Sequence, residues 1–203
     1  MYNPSSAWRR LQAGNQRFAA TVRSGKQAAD GQAPVAAVFR CADADTPSEV
    51  LLGQSWGSLI DVSTWGHVID TGVLATLEYA VGTLKTPLIV VLGHAHCAAM
   101  QTSLEAWNSA SFPQGATRSV VEQAISSLTR LGGSVDNADQ LSAAHVVHTG
   151  ASLLHKSPLI AGAVDSGDTA IVCMAGGGKD GLVRACATFG DVLAGDAPLL
   201  ECV

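Results

Sequence analysis

The sequence predicts an α/β fold, with a central, largely parallel sheet flanked by helices and an N-terminal helical arm. Two observations carry this. Short, continuous apolar runs rich in Val and Ile, as in PLIVVLG (87–93), suit strands buried on both faces. These runs alternate with longer segments of helical apolar spacing, the pattern of strands joined by helical crossovers.

Taken in order, Ser5 or Ser6 is placed to cap a helix over AWRRLQAGNQRFAATV (7–22), where Trp8, Leu11, Phe18 and Val22 form an interrupted apolar stripe. RSGKQAADGQAP (23–34) is polar and Gly-rich, hence a loop, so 1–33 reads as an arm and linker of a single domain spanning 1–203. VAAVF (35–39) is a short buried strand, SEVLLG starts a helix and SLIDVS (58–63) is a second strand. DTGVLATLEYAVGTL (70–84) is a helix capped by Asp70 or Thr71, and PLIVVLG is the strongest strand. From Ala99 to Leu154 the chain reads as helices broken at FPQG and LGGSVDNAD. TAIVCMA (169–175) is a further strand, GGGKDG a turn, and LVRACATFG follows it.

At 203 residues the chain is long enough to bury a sizeable core. Only 14% of residues are charged, which points to surface covered by subunit association. A net charge of -5 argues against nucleic acid or an anionic membrane as partner. No run reaches a membrane span, and the start lacks the apolar segment of a secretory signal, so a cytoplasmic protein is expected. Its five cysteines then read as thiols or metal ligands before disulfides.

Parallel sheets place working residues at the carboxyl ends of strands. Two strands here end in ligand-type residues. VAAVF runs into Arg40-Cys41-Ala42-Asp43, and PLIVVLG into His94-Ala95-His96-Cys97. A helical turn starting at His94 would put residues 94 and 97 on one face. Cys41 from the neighbouring strand would then complete a Cys2His set with an open fourth position, the pattern of catalytic zinc. Each residue alone also reads as packing: a Cys at a strand end as a small buried hydrophobe, a His as a hydrogen-bonded core group.

Cys41-Ala42-Asp43 followed by Gly93-His94-x-x-Cys97 resembles the zinc site of the β-class carbonic anhydrases, whose motifs are C-x-D-x-R and H-x-x-C. Further matches fall in the same order. They are LQAGNQRF (11–18), EVLLGQSWG (49–57), GHVIDTGVLATLEYAVGTLKTPLIVVLGH (66–94) and the terminal hairpin GGGKDGLVRACATFGDV. The resemblance implies a zinc-dependent lyase that interconverts CO2 and bicarbonate through a zinc-bound hydroxide. It implies Cys41, His94 and Cys97 as Zn2+ ligands, and water or Asp43 in the fourth position. It also implies a homodimer or dimer of dimers, with Gln54 contributed across the interface.

Where the family motif ends in Arg, this chain has Asp45. In the family that Arg pairs with the motif Asp and keeps it off zinc. A carboxylate in its place inverts the local charge, so Asp43 is expected to occupy the fourth position and give a closed centre of low activity. Arg40, Asp61, Ser63, Trp65 and Ala98 are further departures around the site. Strand alternation turns Arg40 away from the Cys41 face, so it could replace the missing guanidinium only through a bend. Two other readings follow from the altered lining. One is a zinc enzyme of the same fold acting on another small electrophile, such as carbonyl sulfide, carbon disulfide or a biosynthetic intermediate. The other is a catalytically silent zinc-binding dimer module.

His96, two residues from His94, is either a proton shuttle or, as its spacing favours, a structural residue facing away. His67 fits a strand-to-helix turn, and His145, His148 and His155 fit a surface or interface face. Cys173 is expected in the core, Cys186 is a second core candidate, and Cys202 is a terminal thiol. GGGKDG fails the spacing of a phosphate loop.

Overall fold

A computed structural model of the chain describes residues 3–23, 33–130, 135–176 and 181–192. The chain separates into two compact units, 1–32 and 33–203. The first contains the helix α1, Pro4–Arg23. Its cap is Asn3, which accepts from the Ser6 amide at 2.9 Å, and the expected caps Ser5 and Ser6 lie inside the helix. Most of the expected linker lies outside the described residues.

In the second unit the apolar runs become strands, and those over VAAVF, PLIVVLG and TAIVCMA are largely buried on both faces, whereas the two outer strands are only partly covered. The strands are β1 (Ala36–Cys41), β2 (Leu59–Thr64), β3 (Leu88–Leu92), β4 (Ala170–Gly176) and β5 (Val183–Phe189). Their order is β2-β1-β3-β4-β5, with only β5 antiparallel to its neighbour. Side chains alternate cleanly. Ala37, Phe39, Ile89, Val91, Ile171 and Cys173 share one buried face with Val73, Leu77, Val146, Leu153 and Ile160. Ala36, Val38, Val90 and Leu92 share the other with Leu59, and Leu51 and Leu52 pack against them.

Seven helices are described: α1, α2 (Ser48–Leu51), α3 (Thr71–Gly82), α4 (Ala98–Ser109), α5 (Ala116–Arg130), α6 (Ala138–Lys156) and α7 (Pro158–Asp165). The helix begun by SEVLLG is only four residues long. Asp70 caps α3, accepting from the Val73 amide at 2.8 Å. Ser157 caps α7 with Pro158 in its first turn, a helix to which the sequence pattern assigned no element. β2 is an edge strand, which accounts for Asp61 and Ser63 inside an apolar run: both are exposed.

The topology fixes where chemistry belongs. From β1 the chain passes to β2 on one side, and from β3 it passes to β4 on the other. β1 and β3 are therefore the adjacent strands at which the winding reverses, and a crevice opens at their carboxyl ends. β1 ends at Cys41, and β3 ends two residues before His94.

Candidate metal centre

Cys41 is the last residue of β1, two positions beyond the expected strand end, and is fully buried. After β3, no helical turn starts at His94. Residues 93–97 form a tight turn with His96 at φ 56, and Cys97 is the residue immediately before α4. Backbone pairing holds this turn in place. The Gly93 amide donates to the Met174 carbonyl at 2.8 Å, and the Ala95 amide to Gly176 at 3.1 Å. Gly is needed at 93 because a Cβ there would stand 2.9 Å from Ser142 Oγ and 3.0 Å from Val146 Cγ1, on α6. The His96 amide donates to Asp139 Oδ1 at 2.9 Å, and its side chain is exposed, away from the cluster.

These constraints bring Cys41, Asp43, His94 and Cys97 together, with one donor atom from each lying within 4.8 Å of all the others. The two sulfurs are 3.7 Å apart, and Cys97 Sγ is 3.8 Å from Asp43 Oδ1. His94 Nε2 is 2.9 Å from Asp43 Oδ1. Asp43 Oδ2 accepts from the Ala98 amide at 2.8 Å. A tetrahedral zinc, with bonds of ~2.3 Å to sulfur and ~2.0 Å to nitrogen or oxygen, spaces its donors by roughly 3.3–3.8 Å. The donor set suits such an ion, and the edges from Cys97 to Cys41 and to Asp43, 3.7 and 3.8 Å, match it, whereas the 2.9 Å His94–Asp43 edge is a hydrogen bond that a cation would lengthen. His94 Nδ1 donates to the Ala95 carbonyl at 3.0 Å, leaving Nε2 as the coordinating nitrogen.

The protonation pattern has the same logic. Burial pushes the Asp43 carboxyl up, but contacts from Cys41, the Ala98 amide and His94 outweigh it and hold the group below its ordinary range. Burial disfavours charged His94, yet Cys41 and Asp43 overcome this and raise its pKa. Cys97 is lowered, chiefly by its hydrogen bond with Cys41 and against its burial, with help from the Met100 and Ala99 amides. Cys41 is raised, by sharing that bond with Cys97 and by burial. A cation bound here would displace protons from the raised donors, Cys41 and His94.

The altered residues take definite places. Arg40 follows strand alternation and makes no bend towards Asp43. Its Nη1 donates to the Thr46 carbonyl at 2.7 Å and its Nη2 to the Ala44 carbonyl at 3.3 Å. Its Nε lies 3.8 Å from Asp61 Oδ2, and Asp61 accepts from Ser48 Oγ at 2.9 Å. Arg40 therefore grips, from the opposite face, the loop that carries Asp43. Asp45 is exposed and lines a cavity of about 110 Å³ with His94, Leu51 and Gly176. Trp65 packs, partly buried, against the cluster of Cys41, Cys97, Met100, Leu128 and Leu141 that walls the sulfurs. Ser63 stands outside the donor cluster, and so does Gln54, exposed with its Nε2 donating to the Leu52 carbonyl at 3.0 Å.

The other residues divide. His145 is a correction: it is 4% exposed, a core residue rather than a surface one. Its Nδ1 lies 2.9 Å from Ser127 Oγ and its Nε2 3.0 Å from the Gly66 carbonyl. His67 is in a turn as expected, a 3-10 turn of residues Trp65–His67, and is 3% exposed. Its Nε2 donates to the Leu92 carbonyl at 2.9 Å. Cys173 is buried and Cys186 half-buried. Cys202 and four residues of the GGGKDG turn lie outside the described residues. The Gly66 amide, which donates to Cys41 Sγ at 3.0 Å, was not singled out from sequence. Its signal was a Gly between a strand and a capped helix.

Comparison with known proteins agrees with this geometry. The carbonic anhydrase family profile matches residues 36–183. Carbonic anhydrase 2 of Mycobacterium tuberculosis is 40% identical over 180 residues, covering 84% of this chain and 86% of the relative. A carbonic anhydrase of Mycolicibacterium smegmatis is 38% identical over 200 residues, covering 94% and 97%. Among solved structures, a Coccomyxa β-carbonic anhydrase in complex with acetazolamide superposes with a TM-score of 0.71 at 23% identity, covering 89% of this chain and 87% of that one. One of two tetrameric β-carbonic anhydrases from Sordaria macrospora gives 0.67 at 20% identity, covering 92% and 95%. With the Cys-Asp-His-Cys cluster at the sheet's switch point, the chain belongs to the β-carbonic anhydrase family and is a carbonic anhydrase-like lyase.

Proposed function

We propose that the chain is a zinc-dependent carbonic anhydrase that hydrates CO2 reversibly and rests in a closed state, with Asp43 at the fourth metal position. The observation that supports this best is the Asp43 carboxylate itself. One oxygen lies among the Cys97 and His94 donors, and the other is tied to the Ala98 amide. Cys41, His94 and Cys97 would hold the ion. Once bound, zinc supplies a Lewis acid able to bring the pKa of a water towards about 7. For a water to reach the ion Asp43 would have to withdraw, and with Oδ2 kept on the Ala98 amide its Oδ1 would be free to accept the proton of the attacking oxygen. The apolar wall of Met100, Leu128, Leu141 and Trp65 excludes bulk water from the sulfur side.

Arg40 is occupied with the Ala44 and Thr46 carbonyls, so no guanidinium among these contacts draws Asp43 away. This favours low activity, and it favours a second reading, a silent zinc module. Stopped-flow CO2 hydration by the zinc-loaded protein tests the proposal. A rate indistinguishable from buffer up to about pH 9 overturns the enzymatic reading. In Asp45→Arg the rate should rise severalfold, because a cation then stands beside Asp43; an unchanged rate refutes the explanation of the closed state.

The protein is proposed to act as a homodimer or dimer of dimers, in which Gln54 reaches a partner's site. Support comes from the low charge fraction and from Trp8, Leu11 and Phe18 standing exposed on α1. A cytoplasmic location is proposed because Cys41, Cys97, Cys173 and Cys186, the cysteines among the described residues, form no disulfide. Among the described residues no helix is long and apolar enough to cross a membrane.

A further inference from the structure

The turn Trp65–His67 joins β2 to α3, and two buried imidazoles, His67 within it and His145 on α6, are tied into the metal centre's surroundings. Gly66 sits at φ 72, and its amide donates to Cys41 Sγ at 3.0 Å. A Cβ at this position would stand 2.4 Å from Val120 Cγ1 and 3.2 Å from Ala99 Cβ, so α4 and α5 close over the turn. The Gly66 carbonyl is held by His145 Nε2 at 3.0 Å. A nitrogen facing a carbonyl must carry the proton, so His145 Nδ1 is the acceptor for the Ser127 hydroxyl, 2.9 Å away and itself buried. The tautomer is thereby fixed. His67 Nε2 likewise donates to the Leu92 carbonyl, at the end of the strand that delivers His94. The His67 ring contacts Phe39 and His145 edge-on, with centroids 5.5 and 6.0 Å apart.

Five elements thus converge on one turn: α4 and α5 packed over Gly66, α6 through His145, β3 through His67, and β1 through the Cys41 sulfur. The Gly66 amide belongs to the peptide before its Cα and the carbonyl to the peptide after it. Holding the carbonyl through His145 and the next residue through His67 Nε2 fixes the peptide after Gly66; with β2 anchoring the chain before it, little rotation is left to the N–H. A hydrogen bond to a metal-bound thiolate withdraws electron density from the sulfur, and such outer partners commonly alter metal affinity by about ten- to a hundredfold.

We propose that His67 and His145 are positioning residues that aim the Gly66 amide at the Cys41 sulfur, and so set how firmly the metal is retained and how strongly that sulfur donates to it. This rests on reading the cluster as a zinc site. Gln and Asn at position 145 separate the effect from bulk stability. Gln carries an amide N–H out to the place of Nε2, whereas Asn reaches only as far as Nδ1.

The readouts are the rate of zinc loss from the holoprotein to a chelator and the thiolate-to-metal charge-transfer band of the cobalt-exchanged protein. H145Q is expected within about threefold of the parent in zinc loss, with an unchanged band. H145N should lose zinc about ten- to a hundredfold faster, with a shifted band. L153A, which thins the core away from the turn, should leave the band in place. H145N matching the zinc-replete parent overturns the inference alone, as does L153A shifting the band equally. A parent that retains no zinc overturns the reading of the cluster, and this inference with it.

Discussion

The two buried imidazoles make acid stability measurable. Burial, with a smaller contribution from His145, lowers His67 to about 3, and burial, opposed by the Gly66 carbonyl, lowers His145 to about 4. An unfolded His titrates near 6.5. The folded state therefore binds fewer protons than the unfolded chain, and the stability each His contributes is fully present above pH 6.5. It is lost as the pH falls from there towards 4. Between pH 6.5 and 5.0 the unfolded state gains over a unit's worth of protonation free energy per His, about 1–2 kcal/mol each and about 3 kcal/mol together. Urea unfolding at the two pH values, for the parent and for H145Q, measures this. Gln keeps the bond to Gly66 but does not titrate, so H145Q should lose about 1–2 kcal/mol less than the parent. His148, lowered by burial, and His94, whose burial is outweighed by Cys41 and Asp43 that raise it, contribute alike in both. The Asp43 carboxyl, lowered below its ordinary 3.8, titrates beneath this window. Equal losses in the two proteins refute the assignment of neutral, buried imidazoles as the source of acid sensitivity.

Metal binding should depend on pH in the opposite sense to proton retention. Cys41 and His94 are raised and must shed protons to coordinate, so zinc affinity should rise with pH, by up to about tenfold per unit for each proton displaced. Calorimetry in buffers of differing ionisation enthalpy counts those protons, and zero release refutes the donor assignment. Gly66→Ala should cost about 3 kcal/mol or more, from the positive φ and the 2.4 Å approach to Val120, as a large drop in urea midpoint. Arg40→Ala should cost about 1–3 kcal/mol by freeing two carbonyls of the Asp43 loop. Asp61→Ala should cost a similar ~1–3 kcal/mol, little of it from the loose 3.8 Å ion pair with Arg40 and most from leaving the buried Ser48 hydroxyl without its acceptor.

Much of this architecture is written in local pattern. PLIVVLG could only be a strand buried on both faces, and a strand ending in Gly-His before a Cys must deliver those side chains at the sheet's carboxyl edge. The Asp70 cap was equally legible, because its carboxylate needs only its own helix. What pattern could not supply is what depends on distant chain. The 93–97 turn is shaped by β4 carbonyls and by Ser142 and Asp139 on α6, so residue spacing alone suggested a helical turn instead. His145 shares a helix face with Ser142 and Thr149, polar enough to read as surface. It is buried because that face meets the β2–α3 turn, whose backbone satisfies it. α7 had its signal in Ser157-Pro158, a cap followed by a first-turn proline, yet its eight residues carry too little periodicity to stand out.

The proposed closed state rests on a shortage of donors. A carboxylate that is half-buried must be paid in hydrogen bonds or positive charge. Asp43 has three sources: the Ala98 amide, His94 Nε2 and, when present, the metal. Metal binding already takes the His94 contact, because Nε2 then faces the ion, so leaving the fourth corner gives up the metal as well. The amide alone remains. Arg40 has the charge to compensate but spends it on the far side of the loop, on the Ala44 and Thr46 carbonyls, where it holds the loop without neutralising Asp43. Asp45 adds a negative charge on the cavity side of His94. Opening thus requires a new donor to reach the freed Oδ1, and the hydrogen of the attacking oxygen is the donor that catalysis itself provides. Where that bond is weak, the centre stays shut; a cation introduced at position 45 supplies the donor independently of substrate, which is why Asp45→Arg discriminates between a slow enzyme and a silent site.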